Sequence, residues 1–358
     1  MRSIEFESGL KLSNMFPGRS ENSITLTENV LLLSRGRDSI KVIIDDMGLP
    51  RGSGVLLPTF ACQEIYEPFS KAGLKNLFYR VNEDLTPDLS HIQEIKDEAQ
   101  AVLIINYLGF LQPGYVYNQC KEWGMTVIED GSHSFLSKGS GEHGDYYFAS
   151  LRKLLPLLDG AILKRKDGSG FKKLNVRHSV RIVKFRFFRA LGQITKASEV
   201  KRPRAMKHWL GHEMFAEAEK QLGRYPGPAA MSKLSINILA RLDLGLISDA
   251  RRRNYQALGQ GLGEFANFEP VFENLPEYVV PFGFPVFSEK RSLWVNALDK
   301  LKIQAAPLWN LNRAVSTNVL LDDGRINRQM MLFPVGQDYS EEDMRDLIVR
   351  IKGLADGN

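Results

Sequence analysis

Ala101-Val102-Leu103-Ile104-Ile105 and, farther on, Met125-Thr126-Val127-Ile128-Glu129-Asp130 are two short apolar runs joined by a helical stretch, Tyr115 to Trp123. A run of consecutive apolar residues without alternation describes a strand buried on both faces. Two such runs linked through a helix describe the crossover of a parallel sheet. The pattern extends outward in both directions. On the N-terminal side a helix is expected from near Arg37 through Ile40, Val42, Ile43 and Ile44. A strand at Gly54-Val55-Leu56-Leu57-Pro58, a helix from Glu64 to Ala72 and a strand at Leu77-Phe78-Tyr79-Arg80-Val81 follow. A helix near His91 to Glu98 leads back to the first run, and Asp145 to Ala149 and Ala161-Ile162-Leu163 read as two later strands. The fold class is α/β, with a mostly parallel central sheet flanked by helices. Ligands of such sheets sit beyond the carboxyl ends of the strands. The segments to watch are therefore Pro58 to Cys62, Asn106 to Gly109, Asp130 to His133 and Ser150 to Lys153.

The second part of the chain has another rhythm. One long helix is expected from Met231 to Leu262, through Leu234, Ile238, Leu242 and Ile247, followed by Phe-rich strands such as Tyr278-Val279-Val280-Pro281-Phe282. A final helix starts at Ser340, a capping residue, with Glu341, Glu342 and Asp343 suiting the positive end of its dipole. This division predicts an N-terminal segment plus large α/β domain over 1–249 and a small C-terminal α+β domain over 250–358.

At 358 residues the chain can bury more than one core. It has no run of eighteen apolar residues, so no membrane span is expected, and MRSIEFESGLKL lacks the apolar stretch of a secretory signal. Cys62 and Cys120 make neither a disulfide framework nor a metal cluster, which predicts a reducing cytoplasm and no bound metal. The net charge of +5 is mild, but Phe171 to His208 holds twelve Lys or Arg and one acid, Glu199. Such a stretch suits nucleic acid, anionic lipid or a diphosphate-bearing substrate, and equally a solvated helical face or a subunit contact. Val176, Val180, Val183, Phe187 and Leu191 recur there at helical spacing, which predicts an amphipathic helix docked on the protein.

Chemistry concentrates at the strand ends. Asp130 closes an apolar strand, where a carboxylate calls for a cationic partner, such as a protonated ring nitrogen, or for a role in a helix cap or structural ion pair. Lys153 follows the run Phe148-Ala149-Ser150-Leu151-Arg152; a partly desolvated lysine can act as a carbonyl-bonding amine. Ser150 offers a hydroxyl to a phosphate. Ser34-Arg35-Gly36-Arg37-Asp38-Ser39 opens the first helix, and the free N–H groups of such a helix start form an anion site that Gly36 leaves open and Arg37 reinforces.

Taken together, these residues resemble the DegT-type (StrS-type) nucleotide-sugar aminotransferases, pyridoxal 5'-phosphate (PLP) enzymes of fold type I in the aspartate-aminotransferase superfamily. The resemblance runs from about Glu28 to Lys352. It rests on Ser34 to Ser39, on Pro58 followed by Gly73, on Asn106-Tyr107-Leu108-Gly109, and on Val127-Ile128-Glu129-Asp130-Gly131-Ser132-His133. It continues with Ser150-Leu151-Arg152-Lys153 and Asp159-Gly160-Ala161, and with Met231-Ser232, Arg251-Arg252-Arg253-Asn254-Tyr255 and Leu332-Phe333-Pro334-Val335. It implies that Lys153 carries PLP, that Asp130 pairs with the pyridine nitrogen and that His133 lies near the ring hydroxyl. It further implies that Gly36, Arg37, Asp38 and Ser150 surround the phosphate and Cys62 the ring. The large domain is then the PLP-binding one, with 171–208 as a basic helical insertion.

Three positions depart from the family pattern. Cys62 stands where an aromatic ring is usual, with Phe60 two residues earlier as a possible substitute. Pro228-Ala229-Ala230 stands where an Asn and an Arg precede the Met-Ser pair. Pro156-Leu157-Leu158-Asp159-Gly160 replaces a Gly-Glu-Gly-Gly turn. The expected activity is amino transfer from an amino acid, by resemblance glutamate, to a keto group of a nucleotide-linked sugar, as in polysaccharide biosynthesis, by a homodimer without a nucleic-acid partner. The alternatives are another fold type I reaction, a lyase or desulfurase, or a non-catalytic relative that binds a ligand or polyanion.

Overall fold

The computed structural model describes residues 29–171, 180–197, 213, 214, 217, 227–305, 307–309 and 324–356. The first part alternates strand and helix: β1 Leu31–Leu33, α1 Gly36–Met47, β2 Gly54–Pro58, α2 Gln63–Lys71, β3 Lys75–Tyr79, α3 Leu89–Ile95, β4 Ala99–Ile105, α4 Gly114–Glu122, β5 Thr126–Asp130, β6 Tyr146–Ser150 and β7 Ala161–Arg165. The seven strands form one sheet in the order β1-β7-β6-β5-β4-β2-β3. The pairs from β3 across to β6 are parallel, while β7 runs antiparallel to both its neighbours. The predicted mostly parallel sheet is thus present.

The central strands form because their side chains can be buried on both faces. Val102, Leu103 and Ile104 of β4 and Val127 and Ile128 of β5 are wholly inaccessible. Helix α1 covers one face with Ile40, Val42, Ile43 and Ile44 and stops at Gly48, whose φ of 60° is open to glycine at little cost. Because β2, β4, β5 and β6 are parallel, Pro58, Ile105, Asp130 and Ser150 all end at one edge of the sheet. That edge is where the candidate site forms.

Beyond the sheet lie α5 Val180–Ala197, α6 Lys233–Leu239, α7 Leu244–Leu262, β8 Glu269–Pro270, β9 Gly283–Phe287, α8 Arg291–Lys300, α9 Arg325–Gln329, β10 Met330–Pro334 and α10 Glu341–Asp356. Strands β8, β9 and β10 form a small antiparallel sheet. A second apolar core under it joins Leu258 and Leu262 of α7 to Phe284, Phe333, Leu347 and Ile351. Helix α10 starts as expected: Ser340 Oγ accepts the Asp343 N–H at 3.2 Å and the Asp343 carboxylate accepts the Ser340 N–H at 2.9 Å.

Three expectations are corrected. The long helix over Met231 to Leu262 is two helices, α6 and α7, because Ser232 and Asp243 each cap a fresh helix start through Ser235 N–H and Leu246 N–H. Residues 278–282 are a connecting segment, and the strand is β9 just after them. Pro281 has no N–H to give a ladder, and the carbonyls of Pro281 and Phe282 are taken by the Arg251 guanidinium at 2.9 and 2.7 Å. Third, α5 docks by the face opposite to the predicted one. Val183, Phe187 and Leu191 are exposed, whereas Ile182, Phe185 and Arg189 are buried. The rest of the basic stretch, 172–179 and 198–208, lies outside the described residues, Val176 with it, as does the side chain of Val180.

Candidate active site

At the carboxyl edge of the sheet an open cleft is lined by Gly36, Arg37, Cys62, Asp130, Ser150 and Lys153, with Arg35, Ser132, Phe148 and Arg152 among the other walls. Each wall comes from a strand end or helix start: β5 ends at Asp130, β6 at Ser150, and α1 begins at Gly36. A single turn of 3-10 helix, Leu151–Lys153, turns the chain so that Lys153 enters the cleft.

Asp130 is buried and accepts the Ser132 N–H at 2.8 Å. Burial raises its carboxyl above the ordinary 3.8, against the field of Lys153 and the hydrogen bonds of Ser132. Ser132 Oγ in turn accepts the Ser150 N–H at 3.0 Å, which locks β5 to β6 directly beneath the cleft. Its neighbour Glu129 points to the other side of the strand and acts structurally. It accepts N–H groups of Gly141, His143 and Gly144 and the Asn106 side-chain amide, the last at 2.9 Å.

His133 meets Lys153: its Nε2 is 3.2 Å from Lys153 Nζ. Its Nδ1 receives the Leu108 N–H at 3.5 Å, which assigns the ring proton of the neutral imidazole to Nε2. Burial and the nearby Lys153 push His133 well below the ordinary 6.5, so the ring is neutral at physiological pH. Phe282 stacks on the imidazole with centroids 4.4 Å apart, and Trp309 lies nearly parallel at 5.5 Å.

Arg37 pairs with Glu64, another wall of the cleft. Asp38 is the one expected site residue that turns away. It is fully buried, its carboxylate taken by Arg35 at 2.5 and 2.9 Å. Cys62 itself lines the cleft, half-buried, with its thiol raised by burial. Phe60 instead packs edge-on against Trp309 at 5.0 Å.

Sequence reasoning missed Arg35, Ser132, Glu64 and Arg152 as walls. Ser132 was within reach, since it sits in the quoted segment two residues after Asp130. Also missed was Asp159, wholly buried, which accepts hydroxyls of Ser34, Ser232 and Ser235 at 3.0, 2.7 and 2.7 Å and the Arg186 Nε at 2.9 Å. That cluster ties the loop after Lys153 to β1, α5 and α6.

PLP can be tested against these residues. Its phosphate calls for free N–H groups at a helix start: α1 opens on Gly36, and its cap residue Arg35 gives no side-chain cap bond. Its ring nitrogen calls for a buried carboxylate, which Asp130 is. Its aldehyde calls for an amine facing the same space, which Lys153 is. The residues fit the group.

No protein-family model matches the chain, and no curated protein matches it by sequence. Solved structures do. The aminotransferase TlmJ from Streptoalloteichus hindustanus superposes with a TM-score of 0.71 at 16% identity, over 100% of both chains. The sugar aminotransferase Spr1654 from Streptococcus pneumoniae, described as putative and solved in a PLP form, gives 0.70 at 13% identity over 99% of each chain. A DegT DnrJ EryC1 StrS aminotransferase from Brucella abortus gives 0.64 at 15% identity over 91% of this chain and 85% of its own. Along its length, then, the chain has the fold of the DegT/DnrJ/EryC1/StrS sugar aminotransferases, fold type I of the PLP enzymes.

Proposed function

We propose that the protein is a PLP-dependent aminotransferase that moves an amino group from an amino acid, glutamate by preference, to a keto group of a nucleotide-linked sugar. The observation that carries this reading is the shared cleft: Lys153, Asp130 and the open start of α1 line one space at the carboxyl edge of the sheet. The fold held in common with sugar aminotransferases supports the substrate class.

PLP, when bound, supplies the electron sink that carbon-acid chemistry of amino acids needs. Asp130 holds the countercharge that keeps a pyridine nitrogen protonated, and its burial makes that pairing strong. The N–H groups at Gly36 and the Ser150 hydroxyl hold phosphate, with the Arg37 guanidinium nearby. Lys153 Nζ would hold the cofactor through its carbonyl group and, when free, would carry protons at the reacting carbon. His133 Nε2 lies 3.2 Å from that nitrogen and orients it. Cytoplasmic residence and a homodimer complete the proposal.

Cys62 in the cleft favours one rival, a lyase or desulfurase, although a thiol raised by burial is a poor nucleophile at neutral pH. The half-reaction distinguishes them. Protein loaded with PLP and given glutamate should lose its near-visible band, and a nucleotide keto-sugar should restore it. A band that persists with glutamate and with a panel of other amino donors contradicts amino transfer. A band that returns without acceptor assigns a lyase.

A further inference from the structure

Helix α5 is built inside out. Arg186 and Arg189 turn toward the protein: Arg186 donates to the buried Asp159 at 2.9 Å and to the Ala230 carbonyl at 2.6 Å, and Arg189, 3% exposed, donates to the Leu157 carbonyl at 3.4 Å. Phe185 and Ile182 are buried beside them. The face left to solvent is apolar. Val183, Phe187 and Leu191 are 59%, 61% and 39% exposed, and their spacing of four places them on one stripe. Lys184 is exposed next to it. A contiguous apolar stripe rimmed by charge marks an interaction surface.

We propose that this stripe is a membrane-association surface: α5 lies in the plane of an anionic phospholipid bilayer, with Val183, Phe187 and Leu191 at the boundary of headgroups and acyl chains. Charge selects the occupant. Besides the inward-turned Arg186 and Arg189, the stretch Phe171 to His208 carries ten Lys or Arg against one acid, a charge that an anionic headgroup layer neutralises while it buries the stripe. A second copy laid against the stripe would bring two such basic stretches together. The chain's own remaining segments do not supply the countercharge either. Residues 1–28 hold four acids and three basic residues, 198–226 hold four acids and six basic residues, and 310–323 hold two acids and one basic residue. Nucleic acid would match the charge but leave the stripe in water. The surface is independent of the proposed chemistry, since none of its three apolar residues lines the cleft.

The test is flotation of the full chain with vesicles of phosphatidylcholine containing phosphatidylglycerol, beside vesicles of phosphatidylcholine alone. The protein is expected to float with the anionic vesicles only, and to be released by raised salt. The variant V183S/F187S/L191S, altered only at exposed positions, should keep its circular dichroism and its monomer or dimer state while vesicle affinity falls about tenfold or more. A second variant, Phe187→Trp, should show a blue-shifted emission increment, quenched by brominated lipid, on anionic vesicles. Folded protein that does not float with anionic vesicles overturns the proposal. So does flotation equal in the triple-serine variant, as charge alone or nucleic-acid affinity would give. A dimer that the triple variant dissociates in the absence of lipid also overturns it, and assigns the stripe to a second copy.

Discussion

Asp130 and His133 carry the most informative costs in the chain. A carboxylate buried at a strand end with its pKa pushed up is disfavoured in its charged form, so an uncharged isostere should not harm the empty protein. Asp130→Asn is expected to leave the urea midpoint of the cofactor-free protein unchanged or higher, while PLP retention on dialysis falls about tenfold or more. A loss of stability with unchanged retention would make Asp130 a structural residue. His133 gives a pH signature. Its folded pKa lies well below the ordinary 6.5, so the unfolded chain binds the extra proton first. The stability this contributes is complete above about pH 6.5 and drains as pH falls toward the folded value, at up to about 1.4 kcal/mol per pH unit. Urea midpoints between pH 7.5 and 5.5 should therefore fall less steeply in His133→Asn than in the parent. Equal slopes would remove His133 from the account. Lys153 and Asp130 were legible in sequence because buried strands end beside them. The inward turn of Asp38 was not, since the Arg35 and Asp38 spacing of three fits a solvated helix start equally well.

At the scale of elements, the loop from Lys153 to β7 is held by the Asp159 cluster, whose partners come from Ser34 just after β1, from α5 and from the start of α6. Removing a buried carboxylate that pairs Arg186 and accepts three hydroxyls leaves donors without acceptors. Asp159→Ala should cost about 3 kcal/mol or more in urea unfolding; a cost under about 1 kcal/mol would mean the cluster is replaceable by water. Gly109 is a second hinge point. Its φ is +102°, and a Cβ there would come within 2.3 Å of the Val280 carbonyl oxygen. Gly109→Ala should therefore cost about 2 kcal/mol or more, whereas a neutral effect would show that the 278–282 segment can retreat. The strands were legible because continuous apolar runs have few other uses. The docked face of α5 was not. Its apolar spacing fixes that one stripe exists, but Arg186 and Arg189 turn inward only because Asp159 and the Leu157 carbonyl, distant in sequence, await them. The break between α6 and α7 escaped notice for a related reason: the apolar period runs on through Leu242, while Asp243 caps a new helix.

Across the whole molecule, the parallel sheet brings four strand ends to one edge, and residues far apart in sequence become the walls of a single cleft. The α/β class and the place of the site followed from that topology, and the structural neighbours share it at 10–16% identity. So low an identity transmits a fold and leaves the chemistry to the residues themselves. No described helix is long and apolar enough to cross a membrane, so association with lipid would rest on α5 lying flat. The most direct test of the central claim is borohydride reduction of the PLP-treated protein followed by peptide mass mapping. The account predicts a stable pyridoxyl adduct on Lys153, absent in Lys153→Ala. Folded protein that yields no adduct, or an adduct on another lysine that Lys153→Ala leaves intact, would contradict it.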